Sequence, residues 1–298
     1  MDKTIAVTGI TGHTGRFFLQ ELIKNNYQGC VRCLVRETTD TSILDNSGLN
    51  ISKIVGDKTR SDSLEKLIDG AEIVVHIANI QQSPDVVRIC KKNGVERLIL
   101  VHTTGIYSKY KMASAEYKEI EASVRELLVD SSLDVTILRP TMIFGDMCDH
   151  NIHKFIRMVD KLPLMPEINH GEGRLQPVNA RDLGKAYYQA MMALHLPEYD
   201  YVVSGECSIT MHELFELIGL YLGKKVHFIN CPMGVGVFLA KVLKTVTFGR
   251  IDYVEKVLRM GENRDYGHDA AARDFLYSTE EFKTGLAREV VVYKRLNG

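Results

Sequence analysis

The chain has 298 residues, 45% hydrophobic and 25% charged, and its 37 basic and 38 acidic side chains nearly cancel. That length can bury one large core or a core with a smaller companion, and the balanced charge argues against nucleic acid as a partner. Six cysteines are too sparse for a disulfide framework; with a first strand beginning at Thr4 and no run near the roughly 20 apolar residues of a spanning helix, a cytoplasmic protein is expected.

The first apolar strand, Thr4–Thr8, runs into Thr8-Gly9-Ile10-Thr11-Gly12-His13-Thr14-Gly15. Arg16–Lys24 follows with Phe17, Leu19, Leu22 and Ile23 at helical spacing. Glycines three apart allow a tight turn, a close backbone approach to a pyrophosphate, and packing of the helix on the sheet. Gly9, Thr11, Gly12, His13, Thr14 and Gly15 therefore form the expected dinucleotide-binding loop, with the last three N–H groups aimed at the anion.

Cys30–Val35 is the second strand. Its Cys30-x-x-Cys33 pair has an odd separation that sends the thiols to opposite faces, so both read as ordinary buried cysteines. Arg36 follows the strand where an acid would receive the ribose 2′-hydroxyl of NAD; an arginine suits the 2′-phosphate of NADP, which makes NADP(H) the expected cofactor over NAD(H). Strands Ile51–Val55, Ile73–Ile77, Leu98–His102 and Val135–Leu138 come next. Helical patterns at Ser63–Ile68, Val86–Asn93 and Ala113–Val129 lie between them. The alternation predicts an α/β, Rossmann-type, doubly wound parallel sheet over residues 1–145, with ligands at the carboxyl ends of the strands.

After Gly145 the rhythm changes. Asp146–His153 is polar, Ile152–Val159 reads as a helix, and a Pro- and Gly-containing loop spans Lys161–Gly173. Asp182–Leu194 is a helix, Tyr199–Ser204 a strand, and Met211–Leu222 a helix begun by Thr210 with Glu213 at the capping-box position. Residues 146–298 are expected to form a smaller, substrate-facing domain interleaved with the first, part of 175–205 returning to its sheet. Met233–Phe248, interrupted by Lys241 and Lys244, reads as a docked or dimer-forming amphipathic helix in preference to membrane contact. Asp146, Cys148, Asp149, His150 and His153 crowd together but match no zinc spacing, and no metal is expected.

With these pieces placed, the chain resembles the extended and atypical branches of the short-chain dehydrogenase/reductase superfamily, including nucleotide-sugar epimerase/dehydratase-like proteins. The glycine loop, Gly56-Asp57, His76-x-Ala78, Leu138-Arg139-Pro140, Ile143-Phe144-Gly145, Gln176-Pro177-Val178 and Asp182-Leu183 carry the likeness. The resemblance implies that Asp57 contacts the adenine and Ala78 the adenosine side. It also implies that the segment after Pro140 lines the nicotinamide, and that the C-terminal part holds a small-molecule substrate of the nucleotide-sugar type. A homodimer through Ala113–Val129 is a further implication.

Catalytic members carry Tyr-x-x-x-Lys on the helix after the fifth strand, with a Ser or Thr at that strand's end. Tyr117 takes the tyrosine position and Thr103 or Thr104 the hydroxyl position, but Glu121 stands where the lysine belongs. A carboxylate there could bond ribose hydroxyls or orient the tyrosine, yet it would raise rather than lower a tyrosine pKa. Tyr107-x-x-x-Lys111 matches literally but follows the strand too closely, and Lys118 is turned about 100° from Tyr117 around the helix. On the substrate side, alignment on Asp182 puts Leu175 at the diphosphate-arginine position with Arg174 beside it, and Asn151 at a phosphate-contacting place. Two readings follow: an NAD(P)-dependent oxidoreductase or epimerase acting on a carbohydrate-like, nucleotide-linked substrate, or a non-catalytic NADP(H)-binding regulatory or structural protein.

Overall fold

The computed structural model describes residues 3–149 and 151–297. In chain order, the first half contains β1 (Ile5–Thr8), α1 (Gly15–Lys24), β2 (Val31–Val35), α2 (Ser42–Asp45), β3 (Ile51–Val55), α3 (Ser61–Ile68), β4 (Ile73–His76) and α4 (Ser83–Lys92). It ends with β5 (Arg97–Val101), α5 (Lys111–Leu127), β6 (Asp134–Pro140) and β7 (Ile143–Phe144). The second half begins with α6 (Ile152–Lys161), β8 (Met165–Ile168), β9 (Arg174–Leu175), β10 (Val178–Asn179), α7 (Ala180–Met192) and β11 (Asp200–Val203). It continues through β12 (Ile209–Thr210), α8 (Met211–Leu222), β13 (Phe228–Cys231), α9 (Met233–Val246), α10 (Val254–Arg259), α11 (Asp269–Phe275) and α12 (Phe282–Asn297).

Seven strands form one parallel sheet in the order β11-β6-β5-β4-β1-β2-β3. The order reverses between β1 and β4, which opens a crevice at their carboxyl ends. The sheet is covered on both faces, so its strands are apolar on both. Ile5 and Val7 face Phe18, Leu22 and Tyr187, while Ala6, Val74 and Leu98 face Leu64, Leu67 and Val86. A third core, built on Phe144, Ile156, Leu214, Phe215, Phe282 and Leu286, lies under the C-terminal helices.

Short pairs tie the second half together, β9 with β12 and β8 with β13, and β7 with β10 joins it to the end of the first. Thr210 caps α8 in a reciprocal capping box with Glu213, and Gly223 ends the helix in the left-handed conformation. Strand β11 returns to the large sheet beside β6. Cys33 is buried within β2, its thiol pushed up to about 12 by burial and then by Cys30, which lies just ahead of the strand. Helix α9 buries only Gly236 and Ala240, so the expected docked helix presents its large apolar side chains outward. Among the described residues no helix is long and apolar enough to cross a membrane.

Candidate active site

Strand β1 ends at the glycine loop. Gly9 has φ +77°, where a side chain is disfavoured, and an added Cβ would approach the Ala78 Cβ to 2.9 Å. A Cβ on Gly15 would collide with the Gly9 carbonyl. The Gly12 N–H donates to that carbonyl at 2.9 Å and closes the turn. The opposite wall is fixed from β4: Thr8 Oγ1 lies 2.8 Å from His76 Nδ1 and accepts the Ala78 N–H at 3.3 Å. Burial lowers the His76 pKa to about 4, so the ring stays neutral in this contact.

A cavity of about 330 Å³ lies in front, lined by Gly9, Thr11, Gly12, Arg36, Asp57 and Ala78 among others. The N–H groups of Arg16, Phe17 and Phe18 are taken by the Gly12 and Thr14 carbonyls, and the glycine turn just before them sits at a helix N-terminus, which suits a pyrophosphate. Arg36 is exposed at the mouth, with Lys58 on the same wall. Asp57 accepts the Thr59 N–H at 2.8 Å and the Thr59 hydroxyl at 2.7 Å, which, with help from Lys58 and Arg36, hold its carboxyl below the usual range. Thr14 is buried, and its Oγ1 accepts the Tyr187 hydroxyl at 3.3 Å. The His13 ring reaches away from the cradle, with Nε2 2.6 Å from the Gly145 carbonyl.

That contact fastens the loop after β7 over α1. Asp146, at φ 56°, bonds Arg16 at 3.3 Å and Arg181 at 3.1 Å. Asp149 Oδ1 accepts the N–H of Asn151 at 2.6 Å and of His153 at 3.3 Å where α6 begins. Asp149 thus holds a helix start. His150 lies outside the described residues, and among those described no group of His, Cys, Asp and Glu is placed to hold a metal.

A second cavity, of about 360 Å³, opens at the carboxyl ends of β5 and β6. Thr103, Thr104, Tyr117 and Asn151 all line it, together with Thr141, Met142 and Ile143 from the segment after Pro140. Pro140 itself is buried, its carbonyl accepting the Thr104 hydroxyl at 3.3 Å. Gly105 lets the turn pass under the Tyr117 ring, where an added Cβ would stand 3.0 Å from Cε2. Tyr107 lies in the turn before α5, its ring 5.3 Å from that of Tyr266 and its hydroxyl donating to Asp200 at 3.2 Å.

Glu121 is used inside the fold, one turn beyond Tyr117. Its Oε1 lies 2.9 Å from His102 Nδ1, its Oε2 accepts from Arg139 at 2.8 Å, and a second Arg139 contact joins Oε1. Arg139 also donates to Asp200 at 2.6 Å, while His102 Nε2 meets the Ser83 hydroxyl at 2.9 Å. Burial alone would raise the Glu121 pKa, but the His102 and Arg139 hydrogen bonds outweigh it and pull the value to about 2. Both carboxylate oxygens, expected to orient ribose or the tyrosine, are placed in this buried network. Arg174 is likewise engaged within the fold. Its guanidinium bonds Ser208 at 2.9 Å and lies 3.4 Å from Asp265, while Leu175 lines the cavity.

The cavity's cations come from a stretch the sequence reading did not single out. Arg259, at the end of α10, and Arg264 both line it, and each has a buried Nε with no hydrogen-bond partner. Burial, then neighbouring Arg259, lowers the Arg264 pKa. Glu262, also buried, accepts the Ser108 hydroxyl at 2.9 Å and the Lys109 N–H at 3.0 Å. This holds the 259–264 segment against the turn ahead of α5. Arg259 Nε lies 3.6 Å from the Glu262 carboxylate, which answers part of this charge; the second guanidinium, Arg264, leaves the wall suited to an anion.

The parallel order, the glycine cradle at the switch point and the hydroxyl-lined second cavity define a nucleotide-cofactor protein of the Rossmann type. The chain belongs to the NAD(P)H-binding family, whose profile matches residues 9–161. It is 23% identical over 202 residues to a UDP-glucose 4-epimerase of Vibrio cholerae, an alignment covering 55% of this chain and 59% of that relative. Among solved structures, gox2253 superposes with a TM-score of 0.79 at 19% identity, covering 100% of this chain and 99% of the other. DesIV, a dTDP-glucose 4,6-dehydratase from Streptomyces venezuelae solved with NAD and TYD bound, gives 0.73 at 18% identity over 98% and 97%. A UDP-N-acetylglucosamine 4-epimerase from Methanobrevibacter ruminantium M1, complexed with UDP-N-acetylmuramic acid, gives 0.70 at 18% identity over 99% of both chains. The fold is thus the one these solved structures share.

Proposed function

We propose that the protein is an NADP(H)-preferring oxidoreductase or epimerase acting on a nucleotide-linked sugar. The observation that carries this reading is the convergence of Tyr117, Thr103 and Thr104 with Arg259 and Arg264 on one cavity. Bound in the glycine cradle, the nicotinamide cofactor would supply or accept a hydride. Gly9, Thr11, Gly12, Thr14 and Gly15 would hold the pyrophosphate, with the His13 backbone N–H helping, and Ala78 and Asp57 the adenosine. Arg36 would meet the 2′-phosphate. Thr141, Met142 and Ile143 would position the reacting end.

On the substrate side, Tyr117 would exchange a proton with a sugar hydroxyl or ketone while Thr103 or Thr104 polarises that oxygen. Arg259, Arg264 and Asn151 would hold the diphosphate. No ammonium stands one helical turn beyond Tyr117, so the nearest cationic groups lining this cavity are the two arginines.

The test incubates the protein and NADPH with a panel of 4-keto nucleotide sugars and follows nicotinamide absorbance. Turnover that drops about 10²–10⁴-fold in Tyr117→Phe is the expected result. A second reading, a non-catalytic NADP(H)-binding protein, draws on the commitment of Glu121 to Arg139 and His102. Cofactor binding without oxidation of NADPH by any sugar, unchanged in Tyr117→Phe, would establish it instead.

A further inference from the structure

Helix α9 and the turn after it carry an apolar face that no other described residue covers. Val235, Phe238, Leu239, Val242, Leu243 and Val246 are exposed. At 100° per residue they occupy one arc of roughly 140°. Gly236 and Ala240, on the opposite side, pack inward, with Gly236 close to Ile168 and Val257. Beyond the helix, Phe248 is 94% exposed and stands beside exposed Arg250 and Ile251. Exposed patches of this extent mark contact surfaces.

Within α9 and the 247–251 turn every charged side chain is basic. Residues 217–251 contain five Lys and Arg and no Asp or Glu. Lys244 is answered by Asp252 at 2.7 Å. Lys241 and Arg250 are exposed and enter no ion pair among the described residues. Lys256 lies 4.7 Å from the ring centroid of exposed Tyr253, placing an aromatic and another cation just past the turn.

We infer that α9 and the 247–251 turn dock in the plane of an anionic phospholipid bilayer, the apolar arc entering the acyl boundary while Lys241 and Arg250 meet headgroups. An amphipathic helix with a large apolar arc and basic flanks has the composition of an interfacial helix. At 14 residues α9 is too short to span, so it lies on the surface. A second copy covering the same face would set two identical cationic rims against each other; an anionic surface complements them. This replaces the docked or dimer-forming helix expected from sequence.

The test uses the full chain and vesicles of phosphatidylcholine alone or mixed with phosphatidylglycerol, separated by flotation. NADPH binding to the full chain serves as the control for folding. Flotation with the phosphatidylglycerol vesicles, and little with phosphatidylcholine alone, is expected. Lys241→Glu with Arg250→Glu should weaken association at least on the order of 30-fold at low salt, about fivefold for each cation removed. Phe238→Ser with Val242→Ser should abolish it while NADPH binding persists. The inference is overturned if the protein floats with neither vesicle, if the folded variants float as well as the wild type, or if the wild type runs as a dimer that Phe238→Ser with Val242→Ser dissociates.

Discussion

Glu289 offers the sharpest quantitative test of this structure. It is fully buried on α12, its Oε1 accepts the Met147 N–H at 3.2 Å, and its Oε2 has no partner of its own. Asp149 stands against it, with Oδ2 buried and equally unpartnered. Burial first, then the Asp149 carboxylate, raises the Glu289 pKa to about 9, so Glu289 keeps its proton across the neutral range. The unfolded chain gives that proton up near the ordinary value of 4.5. Between those limits the folded state binds one more proton than the unfolded state, and stability falls as pH rises. The slope is one proton, about 1.4 kcal/mol per pH unit. Glu289→Gln keeps the shape, accepts from Met147, donates an amide N–H to Asp149 and does not titrate. Its stability relative to wild type should therefore rise by about 3 kcal/mol between pH 6 and pH 8. Urea unfolding of both proteins at pH 6, 7 and 8, followed by circular dichroism, measures this difference. A constant offset between the two proteins across that range would refute the protonated Glu289.

Glu121→Lys should harm the protein, because it sets an ammonium against Arg139 and His102; a loss of about 3–5 kcal/mol in urea unfolding is expected. Arg36→Ala should weaken NADPH by about 10–100-fold in equilibrium titration and leave NADH nearly unchanged, the size of a lost charge-assisted contact. Arg264→Leu should raise the KM for a nucleotide sugar by about 10–100-fold while NADPH binding holds.

The parts of the molecule governed by local pattern could be read from the chain. Six of the seven sheet strands announce themselves as apolar runs between helical patterns, and Tyr199–Ser204 covers the seventh. The glycine loop is a local steric demand and needs no partner to be recognised. The network around Glu121 is different in kind. Its partners lie on β6, β11 and the end of β5, so only the sheet order brings them together. Arg174 shows how finely register matters: on a two-residue strand, adjacent side chains point to opposite faces, and one step separates the cavity wall from the Ser208 side. Arg259 and Arg264 carry no periodic signal, since one closes a six-residue helix and the other follows a turn. Helix α12 did leave a mark, with Phe282, Leu286, Glu289, Val290 and Tyr293 buried at helical spacing. A glutamate inside that apolar row was the available hint of a protonated carboxyl.

Strand β11 separates what is inherited together from what can fold together. The family profile ends at residue 161, yet β6 finds its outer neighbour only at residues 200–203. Asp200, on that strand, also answers the buried charge of Arg139. A fragment cut after the profile would present β6 as a bare, apolar sheet edge with a half-compensated guanidinium behind it. Such an edge templates pairing between copies, so the isolated nucleotide-binding half is expected to aggregate where the whole chain folds.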